Sequence, residues 1–162
     1  LTPAMRWIAE NTNRENYTGD LKGAVRGADV FVGVSAGDLL DGEDISTMAS
    51  DAIVFALANP VPEVDPEVAA ETATVVATGR SDHPNQINNV LAFPGVFRGL
   101  LDAGSRSVTT EVLLAAARAL AGVVGEHELN PQYIVPSVFH PDLVTTVATA
   151  VADAARGSDA AG

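Results

Sequence analysis

The sequence predicts an α/β fold, a partial doubly wound parallel sheet followed by C-terminal helices. Three observations lead there. Apolar runs at residues 29–34, 52–58 and 74–78 lack the alternation of a half-exposed strand, which points to parallel strands buried on both faces. Capped helical segments lie between them, joined by connections short enough for βαβ units with right-handed crossovers, and beyond residue 78 only helical signals recur. Hydrophobic residues make up 47% of the chain and aromatics only 5%, a balance that suits helices packed on a sheet better than an aromatic-rich sandwich.

In chain order, Thr2 and Pro3 read as an N-cap and a first-turn proline, and Met5, Ile8 and Ala9 follow as an apolar stripe. A helix is expected to begin at once. Because Leu1 is not an initiator residue, the chain is expected to be a piece of a longer protein. Asp20 caps a helix over 21–26 that Gly27 closes, and a further helix is expected over 42–49 between the first two strands. Asp65, Pro66 and Glu67 supply an N-cap, a proline where no N–H is needed and an acid in the positive first turn, starting a short helix to about residue 71. Pro94 suits the first turn of a helix to about residue 103. Thr109 caps another, over 110 to about 124, ended by Gly125. The last helix is expected to open at Pro141, with Leu143, Val144, Val147, Ala148, Val151 and Ala155 on one face. Residues 1–156 are expected to form the domain and 157–162 a flexible tail, while the segment 125–137 has no periodic signal.

Bulk properties exclude several classes of function. At 162 residues the chain is long enough for a real core. A formal charge of -12, with Lys22 the only lysine, repels nucleic acid and offers no basic stripe to dock it. No apolar run approaches the roughly 20 residues of a membrane span, and no signal-peptide pattern stands at the amino end. The absence of cysteine removes disulfides and thiolate metal sites and fits a cytoplasmic location.

Residues 78–95, TGRSDHPNQINNVLAFPG, concentrate three asparagines, an arginine, an aspartate, a histidine and two prolines in a chain otherwise rich in alanine, valine and leucine. Carboxamides offer donors and an acceptor without titrating, which suits fixing a hydroxyl or carboxylate while proton transfer is left to other groups. With ADVFVGVSAG at 28–37 and FALANPVPE at 55–63, this block resembles the NAD(P)-binding domain of bacterial malic enzymes, which convert malate to pyruvate and carbon dioxide. The resemblance covers nearly the whole chain and is strongest between Ala28 and Arg98. It implies a Rossmann-like sheet, NAD or NADP as cofactor, and Mg²⁺ or Mn²⁺ held by ligands outside this chain. It further implies malate and pyruvate as substrate and product, and a homo-oligomer of the full-length enzyme.

The resemblance maps substrate contacts onto Asn59, Asn88 and Asn89, and cofactor contacts onto Ser35, Asn59 and Asn88. Each has a plainer reading beside it. Asn59 also fits a turn residue ending a strand, Asn88 and Asn89 fit helix-entry caps, and Ser35 lies in a small-residue turn of a common kind. Asn59 nonetheless stands at the carboxyl end of a strand, where open α/β sheets bind ligands. Arg80 and Asp82 fit an ion pair that shapes the loop, and His83 a hydrogen-bonding loop residue. In the last third FHPDLV, at Phe139 to Val144, departs from the family's usual Phe-Asp-Pro-Arg-Val.

No G-x-G-x-x-G phosphate loop occurs, and no cluster of histidines or acids has metal-ligand spacing. The family's tyrosine–lysine acid/base pair has no counterpart in its motif, so no catalytic residue is assigned and this stretch alone is expected to be inactive. The alternative is a non-catalytic α/β module for ligand binding or subunit contact.

Overall fold

The computed structural model describes residues 2–159, with backbone only for 158 and 159. Helix α1 (Pro3–Asn11) starts where Thr2 accepts the Met5 N–H, and α2 (Leu21–Ala24) where Asp20 accepts that of Gly23. Then follow β1 (Val30–Gly33), α3 (Gly42–Ser46), β2 (Ile53–Ala56), α4 (Pro66–Ala69) and β3 (Val75–Thr78). The strands form a parallel sheet in the order β1-β2-β3, pairing Val30 with Ile53 and Ile53 with Val75. A short 3-10 turn (Asn89–Leu91) leads into α5 (Phe93–Ala103), α6 (Thr110–Ala121) and α7 (Leu143–Asp159).

Two apolar clusters hold the sheet with its covering helices and the three C-terminal helices, while α1 buries no residue. Phe31, Val54 and Ala56 from the sheet pack with Val25, Ile45, Val64 and Ala69 from the helices and loops that cover one face. A second cluster joins α5, α6 and α7 through Val96, Leu100, Val112, Val147 and Val151. There Gly95 and Gly99 let two helices meet closely: a Cβ on Gly99 would lie 2.5 Å from the Ala148 carbonyl oxygen. At the end of α5, Gly104 takes a left-handed φ of 68°, which turns the Ser105 N–H back to the Leu100 carbonyl at 3.0 Å.

The expectation of strands buried on both faces is corrected at β1. Phe31 and Gly33 are buried, but Val30 and Val32 on the opposite face are 50% and 56% exposed. Topology supplies the reason. Strands laid down in sequential order by right-handed crossovers send both crossover helices to the same face, so α3 and α4 cover one side and leave the other to whatever else packs there.

Several boundaries also move. The helix expected over 110–124 ends at Ala121, with Gly122 as its C-cap, before the glycine expected to end it. The last helix begins at Leu143 instead of Pro141, and the His140 ring nitrogen Nδ1 accepts the Asp142 N–H at 3.3 Å just ahead of it. Helix α7 continues through residues 157–159 of the expected tail, and residues 160–162 lie outside the described residues.

Candidate functional site

The carboxyl ends of the three strands open onto loops that gather most of the sequence-predicted contacts. After β1 the chain runs through Ser35 and Gly37. After β2 it runs through Ala58, Asn59, a cis Asn59–Pro60 bond and Glu63. The two loops are tied backbone to backbone: the Asp38 N–H donates to the Pro62 carbonyl at 3.0 Å, and those of Leu39 and Leu40 to the Glu63 carbonyl at 2.8 and 2.9 Å. They are packed too closely for a side chain at Gly37, where a Cβ would meet Val61 at 2.6 Å.

Glu63 is the centre of this arrangement and escaped the sequence reading. Its side chain is fully buried. Oε1 accepts the Ser35 N–H at 2.8 Å and the Ser35 hydroxyl at 3.4 Å, and Oε2 accepts the Ala58 N–H at 3.0 Å. Burial pushes the carboxyl pKa up, but the N–H donors of Ser35 and Ala58 outweigh it and hold the group below its ordinary value. Gly33 makes room, since a Cβ there would stand 2.4 Å from the Glu63 carboxyl carbon.

Asn59, next to Ala58, is exposed, and its amide lies over Gly79 at the end of β3, where an added Cβ would come within 3.2 Å of Nδ2. Beyond β3 the chain doubles back beside the sheet: the Ile87 N–H donates to the Thr78 carbonyl at 2.8 Å, and Gln86 reaches the Gly79 carbonyl at 3.4 Å. This return is anchored by Asn85, also missed from sequence. Asn85 is buried with a left-handed φ of 55°. Its Nδ2 donates to the carbonyls of Val76 and Pro131 at 3.0 and 2.8 Å, and its Oδ1 accepts the Ile134 N–H at 2.9 Å. The segment that had no periodic signal is therefore pinned to the loop by one amide.

Asn88 and Asn89 follow. Asn88 is half-buried and caps the 3-10 turn, accepting the Val90 N–H at 3.0 Å, which realises the helix-entry role on one side of its amide. Asn89 is exposed. Among the described residues no hydrogen bond engages the side chains of Asn59 or Asn89, and none joins Asn88 or Asn89 to Asn59. The structure thus brings Ser35 and Asn59 together through Glu63, and leaves Asn88 and Asn89 one extended segment away. Arg80 and Asp82 form the expected ion pair, Nε to Oδ1 at 3.0 Å, which lowers the Asp82 pKa to about 2.

A cavity of about 160 Å³ lies beside β3 and the loop after it, lined by Val76, Thr78, His83, Asn85, Pro131 and Gln132 among others. It contains none of Ser35, Asn59, Asn88 or Asn89, so the open crest of the sheet, not this cavity, is the candidate site. Among the described residues no group of three or more histidines and acids is arranged to hold a metal ion. No helix among them is long and apolar enough to cross a membrane.

A family model described as the NAD-binding domain of malic enzyme matches residues 4–156. The chain belongs to the malic enzyme family. An NAD-dependent malic enzyme from Geobacillus stearothermophilus is 55% identical over 153 residues, covering 94% of this chain and 32% of that protein. An NADP-dependent malic enzyme from Escherichia coli is 41% identical, covering 87% and 21%. The solved malic enzyme of Pyrococcus horikoshii superposes with a TM-score of 0.89 at 43% identity, over 97% of this chain and 36% of that one. The chain therefore spans about a third or less of these malic enzymes, and its Rossmann-like α/β architecture is theirs.

Proposed function

We propose that this chain is the C-terminal part of the NAD(P)-binding domain of a malic enzyme whose complete form oxidises and decarboxylates malate to pyruvate and carbon dioxide. The observation that carries this reading is the exposed, uncharged amide of Asn59 at the carboxyl end of a parallel strand, in a chain of this family. Asn59 and Asn89 offer unengaged donors and acceptors suited to hydroxyl and carboxylate groups. Ser35, Asn59 and Asn88 would hold the nicotinamide end of NAD or NADP, and Asn59, Asn88 and Asn89 would orient malate. The cofactor, when bound, supplies the acceptor for the hydride leaving C2 of malate. The residues here bind and orient; proton transfer and the ligands of an Mg²⁺ or Mn²⁺ ion belong to chain beyond these residues. A cytoplasmic homo-oligomer is part of the same reading.

The test uses the full-length polypeptide that carries this chain, with the isolated chain as the inactive control. Malate-dependent reduction of NAD or NADP in the presence of Mn²⁺ is expected from the full length. Asn89→Ala should lower kcat/KM for malate by about 1–3 kcal/mol through loss of one uncharged donor. Malate kinetics unchanged by that substitution would remove Asn89 from the pocket, and a full-length protein without malate turnover would overturn the functional reading.

A further inference from the structure

We infer that Glu63 is a positioning residue for the cofactor and substrate contacts, its buried carboxylate clamping the loop of Ser35 to the loop of Asn59. The inference rests on the functional reading above and adds to it a residue that touches neither ligand.

The geometry supports a clamp more than a general packing role. One carboxylate oxygen serves the loop after β1 and the other serves the loop after β2, at 2.8 and 3.0 Å. Both N–H groups belong to the candidate contacts themselves or to their chain neighbour, since Ser35 is bonded directly and Ala58 immediately precedes Asn59. A glycine is required beneath: only at Gly33 without a Cβ can the carboxylate lie against the end of β1. No lysine, arginine or histidine forms an ion pair with this carboxylate among the described residues, so its charge is met by the backbone of the two loops it joins. A buried carboxylate spent on two backbone N–H groups at the ligand edge of a sheet fixes the relative position of those loops.

Glu63→Gln keeps the shape but leaves only one acceptor oxygen, so one of the two N–H groups faces an amide NH₂. Glu63→Asp keeps the charge and both acceptor oxygens but shortens the arm by a methylene, so both N–H groups still face a carboxylate, at longer range. In the full-length protein, titration with NAD and with NADP should show the dissociation constant of the preferred cofactor rising about tenfold or more for Glu63→Gln and less for Glu63→Asp. Amide hydrogen exchange should accelerate in residues 34–40 and 57–63 and stay unchanged in α5, α6 and α7. A parent that binds neither dinucleotide overturns the functional reading, and this inference with it. A parent that binds, with both variants within about twofold of it, overturns this inference alone. Exchange that rises equally in the α5–α7 cluster, or failure of both variants to fold, makes Glu63 a general stability residue and overturns the positioning role. If Glu63→Gln alone fails to fold, Glu63→Asp decides by the same criteria.

Discussion

Glu63 keeps its charge where burial opposes it, because the N–H groups of Ser35 and Ala58 point at it and hold its pKa below the ordinary 4.5. A carboxyl whose pKa is depressed by folding contributes stability that is present in full above its unfolded value and disappears as pH falls through the folded one. The urea midpoint of the parent should therefore fall toward that of Glu63→Gln only below about pH 4.5, the variant having no proton to take up at this position. A gap that stayed constant through acid would mean the charge does not matter. Asn85 presents the uncharged counterpart. Its amide satisfies two carbonyls and one N–H in a buried site and tolerates a left-handed φ that most side chains resist. Asn85→Ala should cost about 1–3 kcal/mol, measured by denaturant unfolding, because those backbone groups lose their partner without gaining water.

Among the elements, α5 and α7 pack through glycines, so their contact is a matter of backbone clearance. Gly99→Ala would press a methyl to 2.5 Å from the Ala148 carbonyl and 2.7 Å from Val151, and a rigid helix backbone has little room to yield. A loss of about 1–3 kcal/mol in unfolding free energy is expected from overpacking, and an unchanged midpoint would show that the helices slide apart freely. Helix starts were legible because capping is local chemistry: Thr2, Asp20, Asp65 and Thr109 each accept an N–H within the next few residues. Helix ends were less so, as several residues could stop the chain; Gly122 did so ahead of Gly125. An apolar run marks a strand that a complete sheet would bury, but not which face its neighbours cover, and so the open side of β1 was invisible. At the site, Ser35 and Asn59 could be read as strand-end positions. Glu63 could not, since its partners are backbone N–H groups 28 and 5 residues away and such bonds leave no pattern of side chains.

For the molecule as a whole, the uncovered surface is as informative as the core. Val30 and Val32 on β1 and Val34 just after it are exposed, the outer edge of β1 pairs with no strand among the described residues, and Phe97, Leu101 and Phe139 are exposed elsewhere. An apolar edge of this kind invites association. Sedimentation of the isolated chain should show mass rising with concentration, and Val32→Lys should reduce it; a monodisperse monomer at all concentrations would show that this surface is inert. Helix α1 adds a way to see which surface is covered. Trp7, the sole tryptophan, lies on a helix with no buried residue and is itself 62% exposed. Its indole therefore meets water in the folded chain as it would in the unfolded one, so its emission hardly registers folding. A shift of that emission to shorter wavelength reports instead that something has settled over α1, which makes the ultraviolet fluorescence of this chain a gauge of docking alone.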